Sequence, residues 1–112
     1  MSIQSISPDF AVAGQISAAD LPAIAQAGFK AIICNRPDGE GGSAQPAFAA
    51  LEQAAQAQGL VARYLPVVAG QITSEQAAAM ARLLAELPAP VLAYCRSGAR
   101  STSLWQMARA AR

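Results

Sequence analysis

The sequence predicts an α/β fold in which a mostly parallel sheet of four to five strands is flanked by helices. Short apolar segments of strand length alternate with longer segments of helical periodicity, in the order β-α-β-α-β-α-β-α. Glycine and proline separate most of these segments, as expected for turns. Parallel sheets bind ligands beyond the carboxyl ends of their strands, so we expect functional residues in the loops that follow the strands.

The first half of the chain contains two predicted strands and two predicted helices. Residues 10–13 form a short apolar strand, and a helix at residues 17–27 begins with a Ser-x-x-Asp pattern that is typical of a capped N-terminus. Residues 30–34 are apolar enough for a buried strand. A helix at residues 46–58 begins at a proline and ends before Gly59, which suits the two ends of a helix.

The second half repeats this alternation. A third strand is predicted within residues 61–68, although a proline interrupts it. A second capping-box pattern precedes residues 74–86 and predicts a helix there. The apolar residues 91–94 predict the last strand, and residues 101–111 predict the last helix.

Composition indicates one small domain that covers residues 1–112 and has a compact core. The chain is 54% hydrophobic and only 13% charged, which argues against disorder. Its net charge of +1 implies no nucleic-acid partner. It has no apolar stretch near the ~20 residues that span a bilayer and no signal-peptide pattern, so we expect no membrane association and a cytoplasmic location.

The absence of histidine narrows the possible chemistry. Serine–histidine and cysteine–histidine catalysis are excluded, since the chain contains no histidine. Two cysteines alone cannot build a zinc site. We therefore expect no metal and no cofactor, and any activation of a cysteine must come from backbone N–H groups, a helix dipole and arginine.

The segment most indicative of function joins the last strand to the last helix. Its sequence is Tyr94-Cys95-Arg96-Ser97-Gly98-Ala99-Arg100-Ser101. A helix N-terminus favours anions and, with nearby arginine, lowers a cysteine pKa from about 8.5 to roughly 3.5–7.5. Glycine in the loop permits a positive φ, so that successive N–H groups can converge on one anion.

These features predict a site for a tetrahedral oxyanion. Cys95 is the predicted nucleophile, and Arg100 is the predicted clamp because its guanidinium can hold two oxygens. The predicted anion-binding residues of the loop are Arg96, Ser97, Gly98, Ala99 and Ser101. The alternative, an inert buried cysteine before an ordinary turn, gives no reason for the two arginines.

The loop after the second predicted strand offers further candidates. Arg36 could contact an anionic substrate, and Asp38 or Glu40 could act as a general acid. The alternative is a polar surface loop rich in turn residues. Cys34 ends the strand before this loop, and it is either an inert core residue or a resolving thiol for Cys95.

The cysteine loop resembles those of two enzyme groups. Tyrosine and dual-specificity phosphatases carry His-Cys, five residues and Arg, whereas rhodanese sulfurtransferases often carry Cys-Arg-x-Gly-x-Arg after tyrosine. With four residues between Cys95 and Arg100, the loop has the rhodanese length. Many dual-specificity phosphatases also place a catalytic aspartate after the third strand. In this chain the corresponding residues 68–74 contain no carboxylate.

Nearly the whole chain resembles one bacterial family, the phosphatase-like domain of β-lactamase hydrolase-like proteins, also described as a sulfur transferase family. The matching segments are Gly14-Gln15, residues 33–40, Gln45-Pro46, residues 70–73, residues 88–101 and Leu104-Trp105. The resemblance implies a tyrosine-phosphatase-like fold with a sulfur-carrying Cys95, the anion clamp Arg100, and Arg36 and Asp38 beside the substrate. Members of the family occur beside or fused to persulfide dioxygenases. The resemblance therefore implies a persulfide dioxygenase as a partner, and it implies that this chain is a stand-alone version or an excised domain.

Three hypotheses follow for the function. The first is a sulfurtransferase in which Cys95 takes sulfur from thiosulfate or a small persulfide and passes it to a thiol acceptor. The second is a cysteine phosphatase that forms a phosphocysteine, with Asp38 as the acid. The third is a non-catalytic module that binds an oxyanion and regulates a partner.

Overall fold

The computed structural model describes residues 1–110 and arranges their strands in one sheet. The strands are β1 (Ile3–Ser7), β2 (Phe10–Ala13), β3 (Ala31–Cys34), β4 (Val61–Tyr64) and β5 (Val91–Tyr94). The α-helices are α1 (Leu21–Gln26), α2 (Phe48–Ala57), α3 (Ser74–Glu86) and α4 (Ala99–Ala110). The strand order is β1-β2-β5-β3-β4, and only the β1–β2 pair is antiparallel. The predicted α/β class with a mostly parallel sheet is confirmed.

Both faces of the sheet are covered, because successive strand residues point to opposite sides. In β3, Ile32 and Cys34 pack in one core with residues of α1 and α2, such as Ile24 and Leu51. Ala31 and Ile33 pack in the other core with Met80 of α3 and Leu104 of α4. The near-continuous apolar sequence of β3 therefore reflects burial on two faces. Among residues 1–110, no helix is long and apolar enough to cross a membrane.

The structure adds short elements that the sequence did not predict, such as a 3-10 helix at Gly42–Ala44, and shifts several predicted boundaries, such as the start of α2 from residue 46 to Phe48. The edge strand β1 is new, and the third strand is shorter than residues 61–68. Beyond β4 the chain stays extended and the Leu65 N–H donates to the Cys34 carbonyl, but Pro66 has no N–H to continue a ladder. The segment predicted as the start of the first helix is a 3-10 turn at Ala18–Asp20, and α4 begins at Ala99 instead of Ser101. The predicted helix end at residue 111 lies outside the described residues.

The sheet order places Cys95 directly after the carboxyl end of the central strand. β5 is the central strand, paired with β2 on one side and β3 on the other. The loops that follow β2, β3 and β4 therefore start at the same edge as the cysteine loop. Asn35, directly after β3, donates its backbone N–H to the Tyr94 carbonyl at 2.8 Å.

Candidate active site

The cysteine loop is fixed against the segment that follows β2. The Cys95 N–H donates to the Ala13 carbonyl at 3.3 Å, and the Gln15 N–H donates to the Arg96 carbonyl at 3.3 Å. A Cβ at Gly14 would lie 2.9 Å from the Arg96 oxygen, so this close approach requires glycine. The end of β2 and the residues after it thus hold the backbone on each side of the Cys95–Arg96 peptide before any ligand arrives.

Backbone N–H groups surround the sulfur of Cys95. Gly98 has a φ of +95°, and its N–H donates to Sγ at 3.1 Å. Burial raises the pKa of the Cys95 thiol, but the N–H groups of four loop residues lower it and prevail, so the pKa is below its ordinary value; these residues are Ser101, Ser97, Gly98 and Arg100. The predicted convergence of loop N–H groups on Cys95 is therefore present in the backbone, whereas activation of the thiol stays a prediction.

We expect the Cys95 thiol to titrate below the ordinary value of 9.0. Thiolate absorbance near 240 nm, measured against pH and corrected with Cys95→Ser, should give a single step below that value. Cys34 should add no step in this range, because burial raises the pKa of its thiol. A Cys95 step at or above 9.0 would contradict the role assigned to the loop N–H groups.

Arg100 is buried and is held by two oxygen-bearing partners. Its Nη1 donates to Glu40 Oε2 at 2.7 Å and to the Val67 carbonyl at 2.9 Å, and its Nη2 donates to Glu40 Oε1 at 2.7 Å. A guanidinium carries five N–H donors. These bonds do not use Nε–H and the second Nη2–H. The hydrogen bonds to Glu40 and, to a smaller extent, the interaction of the guanidinium with the Cys95 sulfur raise the pKa of Arg100. Arg100 can therefore keep Glu40 and still offer two adjacent donors to an oxyanion.

Glu40 joins two arginines at the site. Besides Arg100, it accepts a hydrogen bond from Arg36 Nε at 2.9 Å. The hydrogen bonds from Arg100, followed by those from Arg36, overcome partial burial and lower the pKa of Glu40 to about 2. Glu40 is thus ionised at neutral pH, which conflicts with the sequence hypothesis that it could donate a proton as a general acid.

The Glu40 pairing should make stability depend on pH in acid. Because the folded pKa of Glu40 is about 2 against an ordinary 4.5, its contribution is complete above about pH 5 and is lost as pH falls from 4.5 towards 2. We expect the stability gap between wild type and Glu40→Gln, measured by urea unfolding, to be constant above pH 5 and to shrink below it. Glu86→Gln, on α3 and in no ion pair of residues 1–110, is the control. A gap that is the same at pH 3 and pH 7 would contradict the pairing.

An open cleft of about 720 Å³ lies over the cysteine loop. Its lining brings together several predicted site residues and two not predicted, namely Arg36, Glu40, Gly41, Ala69, Arg96, Ser97, Ala99 and Arg100. Arg36 is also fixed by Gln15, which accepts from its Nη1 at 3.2 Å. The predicted proximity of the loops after β3 and β5 is therefore present in the structure.

Asp38 and Ser101 make contacts other than those considered from sequence. The Asp38 carboxylate accepts from the Phe48 N–H at 2.9 Å, at the first residue of α2, and the Asp38 N–H donates to Tyr64 Oη. The Ser101 hydroxyl donates to Asn35 Oδ1 at 2.8 Å, while its N–H faces the sulfur of Cys95. Asp38 thus orders the loop after β3 in this arrangement.

Sequence reasoning missed Asn35 as a component of the site. This fully buried side chain accepts from Ser101 and donates from Nδ2 to the Leu65 carbonyl at 3.0 Å. It ties the start of α4 to the segment after β4. The sequence signal that could have indicated Asn35 is its position, since it is a polar residue directly after an apolar strand.

Cys34 is buried, and its thiol donates to the Arg36 carbonyl at 3.3 Å. This contact fixes the start of the loop that carries Arg36 and Glu40. The sequence left two hypotheses for Cys34. The contacts are those expected of an inert core residue, and the role of a resolving thiol for Cys95 stays a prediction.

The comparisons by sequence identify a domain family. A family model described as "Beta-lactamase hydrolase-like protein, phosphatase-like domain" matches residues 2–112. The β-lactamase hydrolase-like protein of Agrobacterium fabrum is 36% identical over 110 residues, which cover 98% of this chain and 25% of that protein. The chain spans about a quarter of the length of the curated relatives that it matches.

The comparisons by structure identify the fold. A candidate phosphatase of Neisseria meningitidis is 38% identical with a TM-score of 0.90, and the match covers 98% of this chain and 78% of that one. TpbA of Pseudomonas aeruginosa, solved in complex with phosphotyrosine, is 20% identical with a TM-score of 0.68 over 96% of this chain and 61% of its own. At that identity the likeness concerns the fold alone. The tyrosine-phosphatase-like fold that the sequence resemblance implied is confirmed.

Proposed function

We propose that this chain, which belongs to the phosphatase-like domain family of β-lactamase hydrolase-like proteins, is a cysteine-dependent phosphatase. One observation carries the proposal. The sulfur of Cys95 lies within a cradle of loop N–H groups, and Arg100, whose guanidinium interacts with that sulfur, has two donors that Glu40 and Val67 do not use. A phosphoryl group is the ligand that these donors fit, because it has several oxygens and carries negative charge. Among the hypotheses drawn from sequence, the comparisons support the phosphatase better than the sulfurtransferase.

The proposed reaction has two steps. The Cys95 thiolate attacks phosphorus, the bond from phosphorus to the ester oxygen breaks, and that oxygen leaves with the electron pair. Water then attacks the phosphorus of the phosphocysteine, the phosphorus–sulfur bond breaks, the Cys95 thiolate leaves with the electron pair, and dihydrogen phosphate is released with both protons of the water. In both steps the loop N–H groups and the free edge of Arg100 stabilise negative charge on the phosphoryl oxygens.

The carboxylates near the site limit the substrates of this reaction. Glu40 is ionised at neutral pH and cannot protonate a leaving oxygen. Asp38, the acid predicted from sequence, would first have to release the Phe48 N–H. We therefore expect the best substrates to be phosphoesters whose leaving groups are stable as anions, and Asp38→Asn to slow their turnover little.

The same observation favours a second candidate, a sulfurtransferase. Here the Cys95 thiolate attacks the outer sulfur of thiosulfate, the sulfur–sulfur bond breaks, and sulfite leaves with the electron pair. The Cys95 persulfide then passes its outer sulfur to an acceptor thiol. Sulfite needs no proton to leave, so the ionised state of Glu40 is no obstacle. Under this candidate function, the partner of the protein would be a persulfide dioxygenase and its location would be the reducing cytoplasm.

Parallel assays on one preparation separate the candidates. Hydrolysis of p-nitrophenyl phosphate would be measured beside transfer of sulfur from thiosulfate to cyanide, for wild type and Cys95→Ser. Phosphate release that depends on Cys95, without thiocyanate, supports the phosphatase. Thiocyanate that depends on Cys95, without phosphate release, replaces it with the sulfurtransferase. Tight oxyanion binding with neither product would favour the non-catalytic module.

A further inference from the structure

The charges of the cleft over the cysteine loop are unevenly compensated. Its lining includes Arg36, Arg96 and Arg100 but only one carboxylate, that of Glu40, which leaves a net charge of +2. Within residues 1–110, both ion pairs of these side chains use Glu40 and involve Arg36 or Arg100. The charge of Arg96 is therefore left for a ligand or solvent.

Arg96 is held in a suitable place for such a ligand. It directly follows Cys95, and its carbonyl accepts the N–H of Gln15 at 3.3 Å, so its backbone is fixed while its side chain is exposed. The guanidinium can thus approach a group attached to the reacting phosphoryl group. An arginine in this position favours a carboxylate or a second phosphate, because it can hold two of their oxygens.

The apolar part of the same cleft is small. Among the described residues that line it, the apolar side chains are those of Ala69 and Ala99, and none is aromatic. A large aromatic leaving group buries its ring best against apolar or aromatic walls. The cleft lacks such walls and instead supplies uncompensated positive charge.

From these observations we infer that, among phosphoryl substrates whose leaving groups are stable as anions, Arg96 selects small, non-aromatic ones that carry a second negative charge beside the phosphoryl group. The inference rests on the proposed phosphatase function and names its substrate class. The phosphoryl group lies in the cysteine loop against Arg100, and the second anion binds Arg96. Arg96 is then a specificity residue and takes no part in bond breaking.

Binding of two phosphonates tests this division of roles. Methylphosphonate carries one anionic group, whereas phosphonoacetate adds a carboxylate, and neither can be hydrolysed. Their dissociation constants would be measured by calorimetry on Cys95→Ser, alone and combined with Arg96→Gln, Arg96→Lys or Arg82→Gln. Arg82 is an exposed arginine of α3 outside the cleft and serves as the charge-matched control.

We expect phosphonoacetate to bind about tenfold more tightly than methylphosphonate, since it gains a hydrogen-bonded charge pair. Arg96→Gln should reduce this preference to about twofold or less, whereas Arg96→Lys should keep part of it and Arg82→Gln all of it. A full preference in Arg96→Gln, or an equal loss in Arg82→Gln, would overturn the inference. Binding of methylphosphonate without any preference would overturn the inference and leave the proposed function intact. If neither phosphonate binds, both the inference and the proposed function are overturned.

Discussion

Cys95→Ser is expected to lower kcat/KM for p-nitrophenyl phosphate by at least about 10³-fold, because it removes the proposed nucleophile. A serine hydroxyl stays protonated at neutral pH, whereas the loop N–H groups hold the pKa of the Cys95 thiol below its ordinary value. The variant should remain folded, since the two side chains are similar in size and the loop is anchored through its backbone. Initial rates of nitrophenolate release across a range of substrate concentrations give the comparison.

Cys34→Ser is the matched control for this experiment. It also replaces a buried thiol with a hydroxyl, and a serine there can still donate to the Arg36 carbonyl. We expect its kcat/KM to stay within about threefold of wild type, because the hydrogen bond to the Arg36 carbonyl can be kept and Cys34 supplies none of the N–H groups that face the Cys95 sulfur. Equal losses in both variants would mean that the effect of Cys95→Ser comes from disturbed packing. A fully active Cys95→Ser would remove Cys95 from the chemistry.

Arg100→Lys is expected to lower kcat/KM for the same substrate by about 10² to 10³-fold, a loss typical of removing an oxyanion donor. A lysine keeps the charge but has no planar fork. It cannot bind both Glu40 oxygens and the Val67 carbonyl while also offering two donors to a phosphoryl group. The kcat/KM from steady-state kinetics and the affinity for inorganic phosphate from equilibrium binding should decline together, because the lost contacts are made to the phosphoryl oxygens.

The control for charge and side-chain type is Arg82→Lys on α3, which should leave both quantities unchanged. Thermal unfolding of Arg100→Lys shows how much of its effect is structural, since Arg100 is largely buried and bonded to two other segments. If Arg100→Lys binds phosphate and turns over substrate as wild type does, the oxyanion is not held by Arg100. The proposed mechanism would then need a different clamp.

Local sequence signals predicted those elements whose ends are set by neighbouring residues. The helix at Ser74–Glu86 begins with the Thr73 and Gln76 capping box, and both of its hydrogen bonds are present. The strand Val91–Tyr94 lies between a proline and the cysteine loop. By contrast, β1 is partly polar and exposed on the sheet edge, so only its pairing with β2 defines it as a strand.

The cysteine loop could be predicted because its chemistry lies within a few consecutive residues. A strand, a cysteine, a glycine with positive φ and a helix start direct N–H groups at one sulfur, and the contacts with Ala13 and Gln15 then hold this loop in place. The fold then decided the contacts between distant residues. Glu40 and Arg100 are 60 positions apart, and their pairing exists only because β3 lies beside β5.

The sequence by itself therefore determined the α/β class and the position of Cys95 in a loop of converging N–H groups, since each depends on periodicity or on adjacent residues. Only the tertiary structure decided the roles of the carboxylates, because these depend on which charges meet across the sheet edge. It bound Glu40 to two arginines and kept it ionised, directed Asp38 to the first turn of α2, and left Arg96 as the uncompensated charge of the cleft.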